Sequence, residues 1–150
     1  MRRFAVCAVI VVPLAGAAAQ QARPRPSAAT FSVVEASISD MRAALEQGRI
    51  TSRGLVQQSL DRIARYEPRL NAAITVNPRA LDDADARDRE RRAGKVRSPL
   101  HGIPIALKDN IHTTDMPTTG GALAFARLVP PYEATLTTRL REAAHVRTLS

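Results

Sequence analysis

A lysine that ends an apolar run is the residue in this sequence best suited to move a proton. Ile103-Pro104-Ile105-Ala106-Leu107 is nearly continuous in apolar side chains, and Lys108 closes it. Such a run reads as a strand covered on both faces. Pro104 donates no amide and belongs at the first residues of a strand or on an edge. Asp109 and Asn110 follow at once and favour a turn. In open α/β sheets, sites collect at the carboxyl ends of strands. An ammonium held there gives up hydration, which favours its neutral, proton-accepting form. The local pattern also describes a lysine that merely ends a strand in water, the commoner circumstance because Lys is rarely buried.

Other reactive residue types are scattered. His101, His112 and His145 lie far apart and lack an acidic partner at metal-ligand spacing, so neither a zinc site nor a histidine-centred triad is expected. Asp82, Asp83 and Asp85 crowd a stretch that reads as a solvated helix, a poor setting for paired catalytic acids. Gly120-Gly121 suits a close backbone approach near the cleft. As a phosphate cradle it lacks Walker spacing and a following lysine. No cofactor and no metal are expected.

The elements that must position Lys108 follow from periodicity. Ser37 with Asp40 three residues on resembles a capping box. Ile38, Met41 and Leu45 then mark one helical face, with Val34 as a staple outside the cap and Gly48 as the stop. A second helix opens at Thr51 or Ser52, carries Val56, Leu60, Ile63 and Ala64 on one face, and ends before Pro68. Gly54 in its first turn costs up to about 1 kcal/mol. Leu70, Ala72, Ile74 and Val76 alternate as a strand does, and Asn77-Pro78 starts a third helix that ends at Gly94. Asp85–Arg89 and Asp88–Arg92 fall at i,i+4 on that helix, each pair contributing about 0.3–0.5 kcal/mol. Its apolar face, Leu81 and Ala84, is thin, which predicts a position on the outside. Strand, helix and strand over 70–107 form a βαβ crossover. The expected class is α/β, with N-terminal helices followed by the first βαβ part of a mixed sheet that is incomplete. A last helix spans 133–144, with Leu136, Leu140 and Ala143 on one face.

Residues 1–20 read as a secretory signal peptide: Arg2 and Arg3, an apolar stretch from Phe4 to Ala15, then Ala17-Ala18-Ala19 for cleavage. Pro13 and the short length make it a poor membrane span. Its removal takes away two arginines and Cys7, the single cysteine, leaving no disulfide or thiol chemistry. Residues 21–30, with Pro24 and Pro26, form a polar linker, and the folded part is expected over 31–150. The 150 residues suit one domain; 45% are hydrophobic and 24% charged, ordinary for a soluble globular chain. The formal charge of +8 permits anionic partners, but the basic residues are mixed with acids and aromatics are only 3%. No nucleic-acid partner is therefore expected, and no membrane contact after signal cleavage.

The run Pro99-Leu100-His101-Gly102-Ile103-Pro104-Ile105-Ala106-Leu107-Lys108-Asp109-Asn110, continued by Thr118-Thr119-Gly120-Gly121, resembles the lysine-bearing segment of the amidase signature family. That pattern is roughly Pro-Leu-x-Gly-x-Pro-x-x-x-Lys-Asp, then Thr-Thr-x-Gly. The two N-terminal helices, opening with Ser-Val-Val-Glu-Ala at 32–36, resemble the family's helical hairpin. The resemblance implies amide hydrolysis by a Ser–cis-Ser–Lys triad, on C–N bonds other than peptide bonds. The neutral lysine takes a proton through a bridging serine, and a second serine attacks the carbonyl. Backbone amides of a Gly/Ser-rich loop stabilise the oxyanion.

Only the lysine maps here, onto Lys108. No Gly-Gly-Ser-Ser-Gly-Gly-like loop follows, and Ser98 and Ser150 do not match it. Ala122 stands where the family commonly has a serine. Through Thr135–Ala144 the chain tracks the family, then departs at His145-Val146-Arg147-Thr148-Leu149-Ser150. The expectation is the first third or so of an exported amidase, periplasmic or secreted, cut by truncation or frame shift and inactive alone. Its substrate would be a small-molecule amide, bound only by the full-length protein. The residues leave two other readings open: a basic, non-catalytic interaction module, or a hydrolase acting through other residues. A tRNA-linked transamidation role fits the same fold, but the export signal argues against it.

Overall fold

The computed structural model describes residues 31–144. Four helices organise them: α1 (Ile38–Glu46), α2 (Ser52–Leu70), α3 (Ala80–Arg92) and α4 (Thr135–Ala143), with one 3-10 turn at Leu123–Phe125. The predicted signal peptide (1–20) and linker (21–30) lie outside the described residues, as do His145 and Ser150.

Local chemistry accounts for α1. The amide of Asp40 donates to the Ser37 hydroxyl at 3.2 Å, and the amide of Ser37 donates to the Asp40 carboxylate at 3.0 Å. The predicted capping box is thus complete. Gly48 lies in the left-handed region at φ +66°, and the Arg49 amide reaches back to the Ala44 carbonyl at 2.9 Å. The staple differs from expectation. Val34 is exposed, whereas Val33 packs on the core. Glu35 at φ +56° turns the chain between Val33 and the cap.

The start of α2 is held twice. Thr51 caps it, its hydroxyl accepting the Gly54 amide at 3.0 Å. From α3, the Asp88 carboxylate accepts the amides of Ser52 at 2.7 Å and Arg53 at 3.0 Å. Four amides at a helix start need partners, and a carboxylate also answers the positive end of the helix dipole. Gly54 has a local reason as well: a β-carbon there would lie 2.9 Å from Ile50 Cγ1. Ile50 packs against the core at that point. Contrary to expectation, α2 passes through Pro68 to Leu70. Proline removes a single bond near the end of the helix, and Asn71, at φ +48°, donates its amide to the Glu67 carbonyl at 2.9 Å.

The third helix begins later than predicted. The Asn77 side-chain oxygen accepts the Arg79 amide at 2.8 Å, an Asx-type turn that precedes the first helical residue, Ala80. Its carboxylates also act differently. Asp85 pairs with Arg53 of α2 at 2.5 Å, and Asp88 caps α2. Neither serves an i,i+4 pair, because a neighbouring helix offers better partners. Nor does α3 simply lie outside: Ala80 and Ala84 are buried with Val56, flanked by Leu60 and Leu81, and Arg87 and Asp88 are buried too.

The principal core joins Leu45, Leu55 and Ile103, with Phe31, Val33, Met41 and Ile50 against it. It ties α1 and α2 to the segment that leads to Lys108. The turn before that segment is tight. Gly102 has φ +84°, and a β-carbon there would lie 2.1 Å from the Ser52 hydroxyl oxygen. His101 beside it is buried, its Nε2 donating to the Arg87 carbonyl at 3.2 Å, while Arg91 donates to the His101 carbonyl at 2.8 Å. Burial holds the His101 imidazole below its usual pKa. Arg91 and Arg87 push the same way, against the Arg87 carbonyl and Glu90.

The expected strands are corrected. Leu70 ends α2, residues 71–77 are irregular, and Ile74 is more than half exposed. Residues 103–107 form no continuous strand: Ala106 makes a β-bridge, and no strand ladder exists among the described residues. Alternation supplies a strand with two faces but not with neighbours, and a ladder needs both. The described part is therefore helical, with irregular segments on either side of α3 where a βαβ unit was expected. In α4, Thr137 is the buried residue and Leu136 is half exposed, so the predicted leucine face is rotated.

Candidate active site

Lys108 follows directly on the core. Ile103 and Leu107 are buried, which fixes the segment, and the Ile111 amide donates to the Lys108 carbonyl at 2.9 Å to form the turn. Beside the turn is a cavity of about 370 Å³, walled by Ala72, Ile74, Leu107 to Asn110, Gly120 and Gly121. The expected dehydration is absent from the described residues: Lys108 is exposed. Short segments form the walls of this cavity, and Lys108 stays exposed among them.

The ordered group of the site is Asp109. Its carboxylate is buried and accepts the Thr119 amide at 3.1 Å, the Gly121 amide at 3.2 Å, and the Thr119 hydroxyl. The Gly120 amide donates to the Asp109 main-chain carbonyl at 3.1 Å. Burial by itself would raise the Asp109 pKa. The Thr119 hydroxyl and the amides of Thr119, Gly121 and Gly120 outweigh it and hold the carboxyl below the usual range. Gly120 and Gly121 both have positive φ, +57° and +77°, a conformation that glycine adopts without strain. The close backbone approach expected of this pair is therefore to Asp109. Sequence reasoning passed over Asp109 and Thr119 as functional residues; the signal was the Lys-Asp pair read together with the Thr-Thr-x-Gly run ten residues on.

Other candidates are committed elsewhere. The Ser98 hydroxyl donates to the Ala143 carbonyl at 2.7 Å and accepts the Leu100 amide at 3.0 Å, joining the turn to α4. His112 stacks edge-on against Tyr132, with ring centroids 5.1 Å apart. Asp82, Asp83 and Asp85 stay on α3 as expected, none of them buried. A larger hollow of about 480 Å³ between α2 and Pro104–Leu107 is mostly apolar. Its one serine, Ser59, donates its hydroxyl to the Leu55 carbonyl at 2.9 Å.

The structure thus sets a lysine, at the end of a core-anchored segment, on the border of a cavity that the paired glycines Gly120 and Gly121 also line. The chain belongs to the amidase family: the family model Amidase matches residues 54–147. Among its relatives, a probable amidase of Arabidopsis thaliana is 42% identical over 120 residues, covering 78% of this chain and 23% of that protein. A glutamyl-tRNA(Gln) amidotransferase component from a Synechococcus strain is 42% identical over 110 residues, or 73% of this chain and 22% of that protein. The native peptide amidase of Stenotrophomonas maltophilia superposes with a TM-score of 0.70 at 46% identity, over 73% of this chain and 23% of that enzyme. The chain thus spans under a quarter of the length of these relatives.

Proposed function

We propose that this chain supplies the proton-accepting lysine of an amidase that hydrolyses small-molecule carboxylic amides by a Ser–cis-Ser–Lys mechanism. Lys108 is the base. The bridging and attacking serines come from sequence that these 150 residues do not contain, so the chain by itself does not turn over amide. Family membership supports the reaction class, and one observation carries the residue: Lys108 ends the segment anchored by Ile103 and Leu107 and borders the cavity that Gly120 and Gly121 also line. Its exposure in the described residues is the condition that the serine-bearing part would change, by covering the amine and removing water from it. No nucleic-acid partner enters this reading. The Arg2-Arg3, Phe4–Ala15 and Ala17–Ala19 pattern supports an exported enzyme over a tRNA-linked one.

A chimera tests it. Residues 31–144 replace the matching quarter of the Stenotrophomonas maltophilia peptide amidase, and hydrolysis of a simple amide is followed. The chimera is expected to be active, and Lys108→Ala to lower kcat/KM by roughly 10²–10⁴-fold, the usual contribution of a positioned general base. An active chimera that is indifferent to Lys108→Ala would remove the lysine from the mechanism. Turnover by residues 31–144 alone would remove the requirement for outside serines.

A further inference from the structure

We propose that Asp109 is a positioning residue for Lys108: its buried carboxylate clamps the Thr119–Gly121 loop against the lysine-bearing turn and so sets one wall of the cavity that Lys108 borders. The inference deepens the reading of Lys108 as proton acceptor and rests on it. Three successive residues of the loop end on Asp109. Thr119 and Gly121 donate to its carboxylate at 3.1 and 3.2 Å, and Gly120 to its main-chain carbonyl at 3.1 Å. The Thr119 hydroxyl adds a fourth donor and itself accepts the Gly121 amide at 3.0 Å.

Apart from Asp109 and the Thr119 hydroxyl, the loop is held by main-chain bonds, among them the Ala122 amide donating to the Thr119 carbonyl at 3.0 Å, which closes a turn around the two glycines. Gly120 and Gly121 carry no side chains, and a β-carbon built on either would meet nothing within 4 Å. Two adjacent glycines are also the least constrained pair of residues a chain can have. On the other side of the loop, the Thr118 amide donates to the Leu128 carbonyl at 2.9 Å, which fixes where the loop starts. The same glycines, Asp109 and Lys108 border one cavity. The turn bond gives the glycines their local shape, and the Asp109 carboxylate is the side-chain group that ties that turn to the lysine-bearing segment. The low Asp109 pKa agrees with a group kept ionised for this purpose.

The chain provides its own reference for a test, because it contains two lysines, Lys108 and the exposed Lys95 just beyond α3. Trace acetylation with acetic anhydride, read by peptide mass spectrometry, gives the Lys108:Lys95 ratio in the 150-residue chain. Concentrated urea supplies the unfolded value of the ratio. Thr119→Val removes the hydroxyl donor at nearly constant shape, Thr119→Ser restores it, and Asp109→Asn removes the charge. We expect the ratio to move by roughly threefold or more in Thr119→Val and Asp109→Asn, the scale of coupling between groups in one network. Thr119→Ser should return it to the parent value. An unchanged ratio in Thr119→Val and Asp109→Asn, with the Thr119 and Gly121 amides exchanging faster, would overturn the proposal, since the loop would be free and the amine unaffected. A Thr119→Val ratio equal to the urea value and not rescued by Thr119→Ser would also overturn it, as general loss of structure. Failure of the chimera above would instead count against the proton-acceptor reading and leave this ratio as measured.

Discussion

Replacing Asp88 by alanine should loosen the start of α2 far more than replacing Asp85, three residues away on the same helix. Asp88 is buried and takes two amides, those of Ser52 at 2.7 Å and Arg53 at 3.0 Å. A hydrogen bond to a charged group contributes about 1.5 kcal/mol at the lower end, so losing two costs about 3 kcal/mol. That lies somewhat above the usual range for an N-cap, about 0.5–2 kcal/mol, because the capping group here is ionised and buried. Asp88→Asn keeps one acceptor and loses the charge, for about 1–1.5 kcal/mol. Asp85 forms a partly exposed ion pair with Arg53, and Asp85→Ala should cost under about 0.5 kcal/mol. Amide hydrogen exchange at Ser52 and Arg53, read by NMR, reports the opening directly. A loss of about 3 kcal/mol accelerates exchange roughly a hundredfold. Equal exchange at these two amides in Asp88→Ala and Asp85→Ala would refute the reasoning, and Asp88 would then be an ordinary surface acid.

Three further outcomes are expected. Gly102→Ala sets a β-carbon against the Ser52 hydroxyl at a positive φ, and should cost about 2–4 kcal/mol in urea unfolding; adding Ser52→Gly should recover the steric share only. Acid should act on the fold in two windows. The native pKa of His101 is lowered, so the unfolded chain binds the extra proton and stability falls as pH drops below about 6.5, a step that His101→Gln should abolish. The native pKa of Asp109 is also lowered, so its contribution is full above about 3.9 and is lost as pH falls through the native value, a loss absent from Asp109→Asn. A urea midpoint that stays flat between pH 7 and 5 would count against the first window. One that is identical for parent and Asp109→Asn in stronger acid would count against the second.

What could be read from the residues was what lies within a few positions. The Ser37–Asp40 box, the Gly48 and Gly94 stops and the Thr51 start need no distant partner, and all are present. Asp88 was legible as an acid on a helix but not as the cap of another helix 36 residues back. An i,i+4 arginine was the nearest visible partner, and the tertiary one displaced it. The strand over 70–76 failed for a related reason: alternation cannot reveal whether a neighbour exists, and among the described residues there is none. Lys108 stood out by its position after an apolar run, but the run fitted a dehydrated and a solvated amine alike, because burial depends on what stands opposite; here it is exposed. Asp109 was visible only as a turn former, its four donors lying ten to twelve residues ahead.

The cap on α2 also bears on the order in which the chain can mature on a ribosome. Ser52 is translated 36 residues before the carboxylate that receives its amide. At roughly 5–20 residues per second, that is a delay of about 2–7 seconds. During this interval the helix can wind from its middle, but its leading turn has only Thr51 to close it. Completion must wait until α3 emerges and folds back, so α2 and α3 must finish together, whereas α1 closes both its ends with local partners.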